Sequence, residues 1–387
     1  SYLKRLEINF LMRRIVLVTT LLCSAILIGC KKKGCIDPSA TNYNAEAEKD
    51  NGSCEYYEVP TDYIFIDGIG NNTVSFSGQT ARMDMLSEMT SYLKTANNGG
   101  AQLDATTLLT MYDNSYASWS DQDLVNNGKQ LKNKTALGDD AIKAQFEAWM
   151  TEAAAETPPS EGYLQASSGH EWTQLIEKGL MSACFISQLT ANYLDGIMED
   201  DNAQVVDYQN DKYYTEMEHH WDEAYGYFTD APDYPINGTN RFWGKYANNT
   251  LEPLLQSGSR ISSAFRTGRA AISSGILIDV PGQVSIIQEE SRRMVAGMAI
   301  HYLNATKQKV ADGETQNKIN HYLSEAWAFI YGIPFCKNPD LTYSEVNNLL
   351  AQIDADFEGF SQNSVSINAM IDEIAIASGL EAFKNEL

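Results

Sequence analysis

The chain has 387 residues, and 51 Asp and Glu against 28 Lys and Arg give it a formal net charge of −23. This acidity argues strongly against nucleic acid as a partner, because contacts to phosphates need basic surface. The length is sufficient for one elongated domain or two packed subdomains beyond a small N-terminal region.

Residues 1–29 predict an export signal with an upstream extension. Arg13 and Arg14 precede the apolar run IVLVTTLLCSAILIG, which fits a signal peptide and is short for a membrane span. An uncleaved transmembrane helix is the alternative. The run ends in Leu27-Ile28-Gly29-Cys30, which resembles the bacterial lipobox. By that resemblance Cys30 is lipidated and becomes the mature N-terminus, and residues 30–34 form a lipidated tether.

The predicted lipid anchor implies a location and a set of partners. It places the remainder of the protein in the cell envelope, on the periplasmic side or at the cell surface. The membrane is then a partner through the acyl chains on Cys30, and an outer-membrane protein is a further candidate partner.

Residues 35–56 predict a small module without apolar periodicity. The segment CIDPSATNYNAEAEKDNGSC resembles a module of exported bacterial proteins with the pattern C-x-D-P-x-A-x-N-Y-N-x-x-A-x-x-D-x-G-S-C. That resemblance, in an oxidising compartment, implies a disulfide between Cys35 and Cys54, which contributes about 3 kcal/mol by restricting the unfolded chain. Calcium ligation and ordinary turn formation are two interpretations of its polar residues Asp37, Asn42, Asn44 and Asp50.

The domain predicted over residues 57–387 begins with extended segments and continues as helices. The β-branched and aromatic stretches YYEVPTDYIFID and NTVSFSG predict a short hairpin or cover strand. From Gln79 onward, apolar residues recur at intervals of three to four, which is typical of helices. After a first helix ending before Asn98, the predicted helices cover about 103–113, 120–132, 139–156, 170–195, 212–228, 253–274, 283–305, 316–331, 343–356 and 364–378. The pattern predicts an all-α helical bundle.

The predicted helix over 170–195 is apolar around much of its circumference. Gly179 and Ala183 lie one turn apart on it, and small residues at that spacing allow another element to approach closely. We therefore expect this helix at the centre of the bundle. Cys184 on this helix and Cys336 are isolated in apolar segments, so either two buried thiols or one long-range disulfide is open.

Two segments of the chain resemble each other. HHWDEAYGYF begins at His219 and HYLSEAWAFI at His321, and a gapless alignment matches Glu223 with Glu325. In each copy the histidine and glutamate are four residues apart, on one face of a helix. The match arises either by chance from helical composition or from a duplication that produced two related bundles.

The paired residues have two chemical interpretations. Imidazole and carboxylate groups from two helices could converge on a metal ion in the bundle core, with His219, Glu223, His321 and Glu325 as ligands. Alternatively, each pair stabilises its own helix and the two pairs never meet.

Basic residues gather on a few segments of this acidic chain. Arg241, Trp243 and Lys245 lie in the aromatic stretch NRFWGKY, and Arg266 and Arg269 lie on a predicted helix. These five residues could form a pocket for an anionic ligand with an aromatic wall. The alternative is a set of interhelical ion pairs with Glu216, Glu223 or Glu325.

Several segments together resemble one family of exported bacterial proteins. They are the lipobox, the C-x-D-P module, SFSGQTARMDML, GHEWTQLIEKGLM, HHWDEAYGYF, NRFWGKY and HYLSEAWAFIYG. On these segments the chain resembles the domain of unknown function 4856 (DUF4856), from about Tyr57 to the C-terminus.

More loosely, the chain resembles the imelysin group, helical-bundle lipoproteins associated with iron or haem uptake and once described as peptidases. The motif of that group is G-x-H-x-x-E, and the nearest segment here, Gly169-His170-Glu171, has Thr173 at the glutamate position. The motif is therefore absent, and no residue is carried over. The chain also lacks the H-E-x-x-H motif of zinc proteases and the G-x-S-x-G motif of hydrolases.

These features favour a lipid-anchored binding protein over an enzyme. The expected ligand is a metal, haem or a small anion, with iron, haem or another divalent metal as the expected cofactor and calcium as a candidate in residues 35–54. An imelysin-like metallopeptidase and an interaction module without a ligand are the alternatives.

Overall fold

The structure is a computed structural model that describes residues 31–236 and 240–387. The predicted signal peptide and the lipidation site Cys30 lie outside the described residues. The chain divides into two compact units, Ser1–Tyr57 and Glu58–Leu387. Within the described ranges, none of the helices combines the length and the apolar character that crossing a bilayer requires.

The first unit is built on a small parallel ladder and a disulfide. Strand β1 (Lys33–Gly34) pairs with strand β2 (Lys49–Asp50) in parallel. Cys35 and Cys54 form a disulfide, as the resemblance to the exported module implied. A segment this short has no sizeable apolar core, so the covalent link is its main constraint.

The four polar residues considered as calcium ligands form turns in the structure. One Asp37 carboxylate oxygen accepts from the backbone N–H of Ser39 at 3.0 Å and the other accepts from the Tyr56 hydroxyl at 2.7 Å. The side-chain oxygens of the other three residues also accept backbone N–H groups; these residues are Asn42, Asn44 and Asp50. These contacts favour turn formation over calcium ligation.

The second unit is helical, as predicted. Its helices are α1 (Ser77–Lys94), α2 (Ala105–Asp113), α3 (Asp140–Ala155), α4 (Trp172–Leu180), α5 (Glu216–Phe228), α6 (Phe242–Lys245) and α7 (Glu252–Leu255). They are followed by α8 (Ser257–Ser273), α9 (Val280–Ala311), α10 (Gln316–Gly332), α11 (Tyr343–Asp354), α12 (Phe357–Ser361) and α13 (Ser364–Ser378). A two-stranded antiparallel hairpin of β3 (Val205–Asp207) and β4 (Lys212–Thr215) precedes α5.

The helix predicted over 170–195 is long and buried. Helix α4 continues with π-helical geometry through Met181–Ile186 and Gln188–Tyr193, and we call the whole run the central helix. Its first part packs against α10 and its last part packs against α5. Gly179 allows a close approach, since a Cβ there would lie 2.9 Å from the Phe146 ring of α3. Helix α9 packs against α8, α10 and α13 and completes the bundle.

Four predicted elements differ from the structure. The helix predicted over 253–274 is divided into α7 and α8 at Gln256, which has a positive φ angle. Residues 120–132 do not form a helix but two 3₁₀ turns, Gln122–Leu124 and Lys132–Gly138, because Asn126 and Gly128 have positive φ angles. The helix predicted from 212 begins at Glu216, where Thr215 and Glu218 form a capping box. The extended stretches before Gln79 contribute only an isolated bridge between Ile66 and Asn72.

Cys184 and Cys336 are both free and buried. Burial raises the pKa of the Cys184 thiol to about 12, so it stays protonated and unreactive at neutral pH. The long-range disulfide considered from the sequence is therefore absent from the described residues.

Candidate functional site

The first histidine–glutamate pair lies on α5 beside the hairpin. His219 Nδ1 lies 3.1 Å from the Ser75 carbonyl oxygen, which can only accept, so this nitrogen carries a proton. His219 Nε2 is 4.0 Å from a Glu223 oxygen, and the ring stacks on Tyr214 with 4.4 Å between centroids. Burial lowers the pKa of His219 despite the opposing charge of Glu223. The imidazole is therefore neutral at pH 7.

The second pair lies on α10 and has a third member from the central helix. His321 Nδ1 is 2.5 Å from a carboxylate oxygen of Glu171, the residue before α4, and Nε2 is 3.5 Å from Glu325. The ring stacks on Tyr163 at 4.2 Å. Burial alone disfavours the imidazolium, but the hydrogen bond and charge of Glu171 outweigh it and raise the pKa of His321.

The two pairs do not converge on one point. In the part of the chain that the structure describes, no group of three or more His, Cys, Asp or Glu residues is arranged to hold a metal ion. Helix α5 packs on α1, α8 and the end of the central helix, whereas α10 packs on α9 and the beginning of the central helix. The residues predicted as one metal centre, His219, Glu223, His321 and Glu325, thus form two separate pairs.

Arg269, predicted to bind an anionic ligand, is a buried structural residue. Its Nε donates to Asp222 at 2.9 Å and one Nη donates to Glu218 at 2.6 Å, both on α5. The other Nη donates to the carbonyl and hydroxyl oxygens of Thr73 at 3.0 Å. With its side chain fully buried and its donors satisfied, Arg269 ties α8 to α5 and has no access to a ligand.

Trp243 and Arg266, from the same predicted set, do not line a ligand cavity either. Trp243 is fully buried and its indole N–H donates to the Met181 carbonyl at 2.8 Å, so the ring holds α6 against the central helix. Arg266 is half-buried on α8 and is not among the residues that line the three described cavities.

Arg241 and Lys245, the remaining two, line a polar cavity of about 300 Å³ between α1, the central helix and α6. We call it the lysine cavity. The residues that give it its character are Thr90, Lys94, Glu177, Lys178, Arg241 and Lys245, with Phe242 and Tyr246 as aromatic neighbours. Two of the five residues predicted for an anion pocket, Arg241 and Lys245, thus line this cavity together with Lys94 and Lys178, which were not in the predicted set.

The charges of the lysine cavity are arranged around one buried carboxylate. Lys178 Nζ donates to Glu177 at 2.8 Å, and both side chains are about nine-tenths buried. Burial opposes both charges, but each partner outweighs it, so the pKa of Lys178 is raised and that of Glu177 is lowered. Lys94 and Lys245 contribute to lowering the pKa of Glu177, which places their positive charges near it.

The other cations of the cavity differ in how far they are neutralised. Arg241 donates to Asp84 and to Asp230 at 2.6 Å each, so its charge is compensated inside the protein. Lys94 and Lys245 are exposed, and neither forms an ion pair with a carboxylate among residues 31–236 and 240–387. The cavity therefore carries two ammonium groups that lie near the Glu177 carboxylate but form no direct ion pair within the described residues.

A buried hydroxyl group in the lysine cavity also lacks a partner. Thr90 on α1 is 4% exposed, and its Oγ1 makes no hydrogen bond within the described residues. Buried hydroxyl groups are normally hydrogen-bonded, so this hydroxyl group is available for a partner that the described residues do not supply. Ser87 and Ser91, on the same face of α1, supply further hydroxyl groups at the cavity.

Comparison with known proteins places the chain in a family. The family model described as "Domain of unknown function (DUF4856)" matches residues 60–157 and 152–381. The chain belongs to the DUF4856 family. A search of curated proteins and a search of solved structures each found no match.

The sequence did not predict several residues that line the lysine cavity of this DUF4856 protein, among them Thr90, Lys94 and Lys178. Thr90 and Lys94 come from the first matched segment of the family model, whereas Lys178 and Lys245 come from the second. Local patterns contain no signal that joins such distant residues. The one available clue was the cluster of basic and aromatic residues around Lys245, a residue that lines the cavity.

Proposed function

We propose that the protein is a lipid-anchored binding protein of the cell envelope that takes a small anionic ligand in the lysine cavity. The observation that carries the proposal concerns Lys94 and Lys245, which line this cavity near the buried Glu177 carboxylate. Glu177 is already paired with Lys178, and neither exposed lysine forms an ion pair of its own within the described residues. In a chain of net charge −23, a cavity with locally positive character is selective for anions that the rest of the surface repels.

The lining indicates the ligand's chemistry. Lysine ammonium groups and hydroxyl groups donate hydrogen bonds, and such charge-assisted bonds suit phosphate, sulfate or carboxylate oxygens. A volume of about 300 Å³ lies at the small end of ligand sites, which suits a phosphate ester or a short carboxylic acid. The unpaired Thr90 hydroxyl would donate to an oxygen of that anion.

The anchor has independent support. The disulfide between Cys35 and Cys54 is of a kind that persists in oxidising compartments, which fits export. Mass spectrometry of the purified mature N-terminus tests it: Cys30 carrying acyl chains supports the anchor, and an unmodified Cys30 contradicts it.

The binding proposal is tested by calorimetric titration with inorganic phosphate, sulfate, glycerol 3-phosphate and succinate. At least one should bind, and the Lys94→Met/Lys245→Met double variant should weaken that binding about tenfold or more, since each lost charge-assisted hydrogen bond costs about 1.5–3 kcal/mol. Lys212→Met, at an exposed lysine of β4, is the matched control and should bind as the unmodified protein does.

The two alternative functions, an interaction module and a metallopeptidase, predict different experimental results. Absence of binding by all four anions contradicts the proposal and favours an interaction module without a small ligand. Proteolytic activity that chelation abolishes would favour the imelysin-like metallopeptidase, which has no support from the described residues because they contain no metal-holding group.

A further inference from the structure

A second polar cavity, of about 400 Å³, lies at the end of the central helix and beside α5. We call it the mixed-charge cavity, because cationic and anionic side chains line it together. Its charged and polar residues are Lys134, Asn192, Tyr193, Glu199, His220 and Glu223, with Asp200 behind His220. It shares no lining residue with the lysine cavity, so inferences about it do not depend on the proposed function.

A positive and a negative side chain, Lys134 and Glu223, line the cavity beside Tyr193. Lys134 Nζ lies 3.3 Å from the Tyr193 hydroxyl. Glu223, which lines the same cavity, lies close enough for its negative charge to add to burial in raising the pKa of Tyr193. Lys134 is half-buried and forms no ion pair with a carboxylate in the described ranges. The Lys134 ammonium and the Glu223 carboxylate thus line the same cavity beside Tyr193, and the two groups form no direct ion pair with each other.

The carboxylates of the cavity retain acceptor capacity. One Glu223 oxygen accepts from Gln79 at 2.9 Å, and the other lies 4.0 Å from the His219 ring. Glu199 is exposed and forms no ion pair with the described residues. Asp200 is already occupied, since His220 Nδ1 lies 2.8 Å from it.

Ligands with a single kind of charge fit this lining poorly. A simple anion would meet the carboxylates of Glu199 and Glu223, and a simple cation would meet the Lys134 ammonium. A metal ion would not be held here either, since the described residues contain no group of three or more His, Cys, Asp or Glu side chains arranged as ligands. A molecule with both charges close together satisfies both sides of the cavity.

We infer that the mixed-charge cavity binds a small zwitterion of the α-amino acid class. Its ammonium group donates to Glu223 and Glu199, and its carboxylate accepts from Lys134 and from the amide of Asn192. The Tyr193 hydroxyl, which lies 3.3 Å from Lys134 Nζ, is available to contact the carboxylate of the ligand.

The inference is tested by calorimetric titration with L-alanine, L-serine and L-glutamate, each beside its single-charge analogues. For L-alanine these analogues are propionate and ethylamine. At least one amino acid should bind, and both of its analogues should bind at least about tenfold more weakly, because each lacks one charge-assisted contact. Lys134→Met and Glu223→Gln should each reduce the affinity for the zwitterion by a similar factor.

Two control variants separate binding from folding. Lys143→Met and Glu289→Gln remove exposed or peripheral charges and should leave the affinity unchanged. If Glu223→Gln unfolds the protein, Glu199→Gln replaces it, since Glu199 is exposed and unpaired in the described structure. Absence of binding by all three amino acids, equal binding of the amine or the carboxylate analogue, or unchanged affinity in the Lys134→Met variant would each overturn the inference.

Discussion

Helices α5 and α10 carry the same histidine–glutamate spacing, but the pKa values of their two histidines are shifted in opposite directions. On α5, His219 donates to a backbone carbonyl and burial lowers its pKa. On α10, His321 gains Glu171 from the central helix and its pKa is raised. The local motif is therefore not sufficient to set the charge of the imidazole, because a carboxylate contributed by another segment decides it.

Each pair also lies beside a different cavity. Glu223 lines the mixed-charge cavity, whereas Glu325 interacts electrostatically with Lys178 of the lysine cavity. Burial raises the pKa of Glu325 even though Lys178 and His321 oppose the shift. The structural charges of α5 lie elsewhere on the helix, at Glu218 and Asp222 against Arg269.

Breaking the buried charge cluster of α5 should have the largest effect on stability. Arg269→Met leaves Glu218 and Asp222 buried without their cation, which should cost about 3–5 kcal/mol in the free energy of unfolding. Urea denaturation of this variant measures the loss. Arg266→Met, on the same helix and without an ion pair in the described residues, is the control and should change the free energy of unfolding far less.

Removing the Glu171 carboxylate, which contacts His321 of α10, should cause the second largest loss of stability. Glu171→Gln keeps the size of the side chain but loses the charge beside His321, so we expect a loss of about 2 kcal/mol in the free energy of unfolding. NMR titration of the His321 ring should show a lower pKa in this variant. An unchanged His321 pKa would contradict the role given to Glu171, and Glu216→Gln, at an exposed carboxylate of α5, provides the control.

The pH dependence of stability should separate the two histidines. The raised pKa of His321 adds stability that is fully present below about 6.5, the unfolded value, and is lost as pH rises through the folded pKa. The lowered pKa of His219 acts in the opposite sense, with stability lost as pH falls from about 6.5 towards the folded pKa.

Urea midpoints between pH 5 and pH 8 measure this difference. Relative to the unmodified protein, His321→Gln should lose more stability at the acidic end, and His219→Gln should lose more at the basic end. If both variants show the same trend with pH, the contrast between α5 and α10 is wrong.

The smallest effect on stability is expected for Lys94, one of the two exposed lysines of the lysine cavity. Lys94→Met removes a side chain without an ion pair in the described residues, so the free energy of unfolding should change by no more than about 0.5 kcal/mol. The same variant should weaken anion binding. A large loss of stability would indicate a structural role for Lys94 in place of a binding role.

The fold was largely predictable because its signals are local. The apolar periodicity predicted α10 at 316–331, and the structure has Gln316–Gly332. The failures occurred where backbone conformation overrode periodicity, as in the positive φ angles of Asn126 and Gly128, or where a capping box at Thr215 set the helix start.

The candidate sites were less predictable because they depend on distant segments. Interhelical ion pairs were one of the two interpretations of the basic residues, and Arg269 does form such pairs. Its partners are Glu218 and Asp222, however, and none of the three glutamates proposed from the sequence. Lys178 and Thr90 carried no signal in the sequence, because only the packing of α1 against the central helix brings them to one cavity. The duplication suggested by the two similar segments stays an interpretation.

The most direct test of the central claim is the anomalous diffraction of selenate, a sulfate analogue, soaked into crystals of the protein. We expect a selenium peak in the lysine cavity, within hydrogen-bonding distance of Lys94, Lys245 or Thr90, which disappears in the Lys94→Met/Lys245→Met variant. Selenate peaks found only outside that cavity, or a peak there that survives the double variant, would contradict the assignment of the cavity as an anion-binding site.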